Sequence, residues 1–131
     1  MVGLDTNVLV RYIMQDDARQ AAKATDLIEG LTAEEPGFVS LVSVVELVWV
    51  LSASYKLTRL QIAQVLSLLL RSRQLLVDQV DQVARALRAY ANGNADFADC
   101  LIERSASAAG CPQTMTFDVR AAKTAGMTLI S

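Results

Sequence analysis

Phe38-Val39-Ser40-Leu41-Val42-Ser43-Val44-Val45-Glu46-Leu47-Val48-Trp49-Val50-Leu51-Ser52-Ala53-Ser54-Tyr55 is the stretch whose reading decides the fold. The turn Glu34-Glu35-Pro36-Gly37 precedes it. Phe38 to Leu41 is short and apolar and reads as a strand. Val42 to Tyr55 is apolar almost throughout and too long for one strand, so it reads as a buried helix. A strand that runs directly into a buried helix is half of a strand–helix–strand unit.

The same alternation extends in both directions. Toward the N-terminus, Met1 to Leu4 is a short apolar strand that ends at Asp5. Asn7 to Met14 reads as a largely buried helix and Ala18 to Glu29 as an amphipathic one. Toward the C-terminus, Thr58 caps a helix that runs to about Arg71, and Leu75 to Val77 is a strand. Asp78 to Ala91 is helical and closes at Asn92-Gly93-Asn94; Asp96 to Ala109 is helical and closes at Gly110-Cys111-Pro112. Thr114 to Phe117 is a strand, Asp118 to Ala125 a short helix and Met127 to Ile130 a last strand. Five short strands separated by helices predict an α/β fold of three layers, α/β/α, with a central parallel sheet. The 131 residues fit one domain, with no linker or repeat.

Composition narrows the chemistry. The chain has no histidine, which excludes Ser-His-Asp and Cys-His catalysis and removes the commonest zinc ligand. Cys100 and Cys111 are too few for a four-cysteine site and suit a reduced compartment; Cys100 reads as a small buried residue and Cys111 as a loop residue. No signal peptide is visible, because Asp5 interrupts the first apolar run, and no run is long and apolar enough to span a membrane, so a soluble cytoplasmic protein is expected. Net charge is −2, which is not that of a basic nucleic-acid binder. If four of the 14 acids are matched by metal, the ten that remain face 12 bases, and a polyanionic substrate is no longer disfavoured.

Four acids fall at strand ends and helix starts. Asp5 ends the first strand, Asp118 ends the fourth, and Glu46 and Asp99 sit in the first turns of their helices. In a parallel α/β sheet, strand C-termini and helix N-termini share the edge where ligands bind. Each acid taken alone is explained by helix capping. Asp5 and Asp118 are plausible N-caps, Ser43-Val44-Val45-Glu46 matches a capping box, and Asp96-Phe97-Ala98-Asp99 resembles one.

Two features favour a shared site. Glu46 is flanked by Val44, Val45, Leu47, Val48 and Trp49, where a carboxylate is costly without a cation, and no Lys or Arg lies between Pro36 and Tyr55. Converging carboxylates also raise one another's pKa. A divalent cation resolves both, and oxygen-only ligands select Mg²⁺ or Mn²⁺. Such a centre suits phosphodiester hydrolysis, in which no protein nucleophile is needed.

Gly3-Leu4-Asp5-Thr6-Asn7-Val8-Leu9-Val10-Arg11-Tyr12, Ser43-Val44-Val45-Glu46-Leu47, Asp96-Phe97-Ala98-Asp99-Cys100-Leu101-Ile102 and Thr114-Met115-Thr116-Phe117-Asp118 together resemble the PIN-domain nucleases. Among these they are most similar to the VapC-type toxins of type II toxin–antitoxin systems, over essentially the whole chain. The resemblance implies a Mg²⁺- or Mn²⁺-dependent endoribonuclease with the acidic quartet Asp5, Glu46, Asp99 and Asp118 as catalytic metal ligands. It also implies a homodimer restrained by a cognate antitoxin. Thr6, Asn7 and Thr116 fall on supporting positions, Asn7 on the one that braces the first acid and Thr116 two before the last. Cys100 and Ala121 depart from the family, which commonly has Ala and an aromatic there.

Asp96 lies one turn before Asp99 and reads equally as an outer metal ligand or an N-cap. Arg11 reads as a solvated or structural arginine, or as a contact with substrate phosphate or antitoxin. Lys56, Arg59, Arg71 and Arg73 read first as solvated charges. The helix carrying Trp49 is apolar on more faces than one layer of packing needs, so part of it is expected to meet another chain. Two alternatives stand beside this reading: a non-catalytic interaction domain of the same fold, and a Mg²⁺-dependent phosphohydrolase or DNA nuclease of another α/β fold.

Overall fold

A computed structural model describes all 131 residues. Its elements fall into two compact units, Met1–Asp78 and Gln79–Ser131.

The first unit contains β1 (Val2–Gly3), α1 (Thr6–Met14), α2 (Ala18–Glu29), β2 (Gly37–Val39), α3 (Leu41–Ala53), α4 (Arg59–Arg71) and β3 (Leu75–Val77). The strands form one parallel sheet in the order β1-β2-β3, with Val2 opposite Gly37 and Gly37 opposite Leu75. Gly37 permits a close approach: a Cβ there would lie 2.7 Å from a methyl of Leu4 and 2.8 Å from one of Leu31. The core is aliphatic, as the sparse aromatics require, with Leu9, Ile28, Val39, Leu47, Leu51, Ile62 and Leu66 fully buried. Thr58 and Gln61 form a reciprocal capping box at the start of α4.

The second unit contains α5 (Val80–Ala91), α6 (Phe97–Ala108), β4 (Met115–Thr116), α7 (Val119–Thr124) and β5 (Thr128–Leu129). α5 and α6 make a helical hairpin whose core is Val83, Ala86, Tyr90, Phe97, Cys100 and Leu101. β4 and β5 pair in parallel. α6 ends where Gly110 takes φ +99°, a conformation that costs a side-chain-bearing residue. Neither cysteine is in a disulfide; Cys100 is buried and Cys111 exposed.

All five expected strands are present and every pairing is parallel, but they divide into sheets of three and two instead of one sheet of five. Strands of two or three residues carry too few ladder hydrogen bonds for their sequence to announce their partners. The helices start within two residues of the expected positions. No helix is long and apolar enough to cross a membrane.

Candidate active site

In the first unit, parallel pairing sets the C-terminal ends of β1 and β2 side by side, so the segments that follow them start from one sheet edge. Asp5 follows β1 and is the N-cap of α1; its Oδ1 accepts a hydrogen bond from the Thr6 backbone N–H at 2.7 Å. Ser40 follows β2 and caps α3, its hydroxyl accepting from the Ser43 backbone N–H at 3.2 Å. Asp5, Thr6, Asn7, Arg11, Glu46 and Tyr55 then line one open cleft of about 630 Å³. The sequence thus brings two of its four acids to one place.

The route by which Glu46 arrives differs from expectation. Because Ser40 and not Ser43 is the cap, Glu46 lies in the second turn of α3 and belongs to no capping box. Nor is it buried. Val44, Leu47 and Val48 turn into the core, while Glu46 shares the outward side with Val42 and Trp49. Its carboxylate is therefore open to solvent despite its apolar neighbours in sequence. The hydrogen bond that Asp5 accepts comes from the Thr6 backbone N–H, and Asn7 stands exposed in the cleft wall.

Arg11 is more constrained than a solvated arginine. Its Nη1 donates to the Tyr55 hydroxyl at 3.1 Å and to Asp16 Oδ1 at 3.2 Å, and its Nε donates to Gln20 at 2.7 Å. Tyr55 in turn donates to Asp16 Oδ2 at 2.6 Å. That bond holds the Tyr55 phenol above and the Asp16 carboxyl below their ordinary pKa values. The network fixes a guanidinium in the wall of the acidic cleft. It joins residues 11, 16, 20 and 55, whose spacing carries no local signal in the sequence.

In the second unit, Asp118 follows β4 and caps α7 with one oxygen, Oδ1 accepting from the backbone N–H groups of Arg120 at 2.8 Å and Ala121 at 3.2 Å. Thr116 supports it, its hydroxyl accepting from the Asp118 backbone N–H at 3.0 Å. The Arg120 side chain donates to the Asn94 carbonyl at 3.3 Å, tying the start of α7 to the α5–α6 loop. Asp96 occupies the N-cap position of α6 but makes no side-chain cap bond, which leaves its carboxylate free. Asp99, in the first turn, is half-buried. Burial first, then the charges of Asp96 and Asp118, push its carboxyl above the ordinary range.

The cap predicts a separable effect at Asp118. Replacing it by Ala should cost about 1 kcal/mol, or about 4 °C in Tm for a chain of this size. Asn keeps an acceptor at the same place and should hold Tm near that of the parent. Thermal melts of both variants check this, and equal Tm values would show the cap to be idle.

None of the four acids is ion-paired; the ion pairs are Met1–Glu35, Arg11–Asp16 and Arg104–Glu103. In neither unit do three acidic or sulfur side chains stand close enough to hold a metal ion by themselves.

A model of the PIN domain matches residues 2–127, a span that runs through both units. The chain belongs to the PIN-domain family. No curated protein and no solved structure matches it. PIN domains are generally nucleases, hydrolases of nucleic acid, and usually work with divalent metals. The residues of this PIN domain fit such an ion. The available donors are oxygens alone. Thr6 Oγ1 is buried without a hydrogen-bond partner, next to Asp5 in the wall of the acidic cleft, an orphaned oxygen that a hydrated cation would satisfy.

Proposed function

We propose that this PIN domain is a Mg²⁺- or Mn²⁺-dependent endoribonuclease and the toxin of a toxin–antitoxin pair. The observation that carries the nuclease reading is the Asp5–Glu46 cleft: two unpaired carboxylates and the orphaned Thr6 hydroxyl beside a fixed guanidinium. Asp5, Glu46, Asp99 and Asp118 would hold the metal, with Asp96 as an outer member. When bound, the ion lowers the pKa of a water and neutralises charge on the phosphoryl oxygens. Arg11, held by Tyr55 and Asp16, is placed to orient a substrate phosphate at the cleft wall. Thr116 and the Arg120–Asn94 bond keep Asp118 in place.

The choice of RNA and the toxin role rest on the resemblance of the four motifs. The expected homodimer partner or antitoxin would cover the outward apolar stripe of α3. That stripe leaves Val42 77% and Trp49 66% exposed, and with Leu41 and Val45 it lines a nearly apolar cleft beside Glu46.

The test is direct. Single-stranded RNA, single-stranded DNA and a phosphomonoester are each incubated with the chain, with Mg²⁺ and with EDTA. Cleavage of RNA alone, lost in EDTA and lost in Asp5→Asn, is expected. Asp5→Asn cleaving at the parental rate overturns the assignment of the acids. Cleavage of DNA, or of the monoester, in preference to RNA overturns the substrate.

A further inference from the structure

We propose that a groove between α5 and α6, walled by Arg85, Arg88 and Arg104, binds the phosphates of a single RNA strand away from the acidic residues. Arg85 and Arg88 are three residues apart and so share a side of α5. Arg104 meets them from α6, and Ala89 and Asn92 complete a cleft of about 430 Å³.

Three guanidiniums gathered in one cleft repel one another, and the chain supplies little to offset this. Arg85 and Arg88 take part in no ion pair. The one acid paired with any of the three is Glu103, whose Oε1 is 3.3 Å from Arg104 Nε yet lacks the geometry of a hydrogen bond. An array of forked donors with one carboxylate contact among the three matches phosphate, which each guanidinium can hold through two parallel bonds.

Position connects the groove to the strand being cut. Asn92 lines the groove and opens the loop that leads through Asn94 to Asp96. Arg104 lies about 7.5 Å along α6 from Asp99 and about 140° around it, so the groove opens on another side of the helix than the acid. A flexible single strand can follow that turn, and a stiff duplex cannot. The choice of RNA over an acidic peptide rests on the ribonuclease reading.

Fluorescence anisotropy of a short labelled single-stranded RNA with the full chain, in EDTA and over a series of KCl concentrations, tests the groove without cleavage. For Arg85→Gln/Arg88→Gln/Arg104→Gln, the slope of log Kd against log[KCl] should become shallower by roughly 2, since each neutralised phosphate of a single strand contributes about 0.7. Arg85→Gln/Arg88→Gln leaves the Arg104–Glu103 contact intact, changes only exposed positions, and should lose roughly 1.4 of slope. Lys at all three positions should retain the slope.

An unchanged slope in both Gln variants overturns the proposal, as does a parent that binds no RNA. So does a poly-glutamate peptide whose binding needs the three arginines when RNA binding does not. Cleavage by the parent in Mg²⁺ is scored separately. Arginine-dependent binding without cleavage supports the groove and removes the ribonuclease reading; cleavage with an unchanged slope removes the groove alone.

Discussion

Asp99→Asn is expected to lower metal-dependent RNA cleavage by roughly a thousandfold, about 4 kcal/mol on the barrier, while raising the melting temperature in metal-free buffer at neutral pH. Both effects come from one carboxylate. Its removal subtracts a negative oxygen from the ligands that would hold the cation, and charge stabilisation by such ions is worth several kcal/mol. The stability effect follows from the carboxyl's raised pKa, caused by its burial and by the charges of Asp96 and Asp118. A raised folded-state value means that the folded chain holds this proton to higher pH than the unfolded chain does.

Below the ordinary carboxylate range both states are protonated and the penalty is absent. As pH rises the unfolded chain releases its proton first, and the penalty is complete above the folded value. Asn removes a penalty that exists only at the upper end. The gain in Tm should therefore be present at pH 7 and vanish in strong acid. Saturating Mg²⁺ should reverse the order, because the parent alone gains by binding the ion. A variant that cleaves at the parental rate, or that melts below the parent in EDTA at pH 7, contradicts the assignment.

The parts of this site that were legible in the sequence are those with a local signal. Thr58 and Gln61 announce the start of α4, Asp118 announces α7, and the apolar period of Ala18–Glu29 gives both ends of α2. Glu46 defeated the same reasoning because α3 is apolar on every side. With no period in the pattern, nothing in the sequence distinguishes the outward Val42, Glu46 and Trp49 from the buried Val44, Leu47 and Leu51. The cap at Ser40, three residues before the Ser43 of the expected capping box, dissolved the box that explained Glu46 away. At Asp96 the ambiguity between ligand and cap is a matter of side-chain direction, which spacing does not encode. The Arg11–Tyr55–Asp16 network and the arginine groove each join separate elements, so only the packed chain shows them.

Phe97→Ala is expected to destabilise the protein by about 3–5 kcal/mol, a large share of the margin that keeps a domain folded. Phe97 is 1% exposed and is the first residue of α6, between Asp96 and Asp99. Its ring meets that of Tyr90 on α5 edge to face, with centroids 5.7 Å apart and planes at 87°. Truncation leaves a cavity between the helices beside the Tyr90 ring, in a core whose other members, Val83, Ala86, Cys100 and Leu101, are small or aliphatic. At the midpoint of that range the melting temperature should fall by roughly 15 °C for 131 residues.

Phe117→Ala is the matched control. That ring precedes Asp118 but is 80% exposed, so its loss should change stability by less than about 0.5 kcal/mol. Thermal melts of the two variants separate burial from mere proximity to an acid, and similar losses in both would show that the α5–α6 packing is not what holds this unit. The position of Phe97 adds a consequence for activity. The ring that fixes the first turn of α6 also fixes the backbone that carries Asp99. Cleavage by Phe97→Ala, measured well below its own melting temperature, should therefore fall further than its unfolded fraction accounts for.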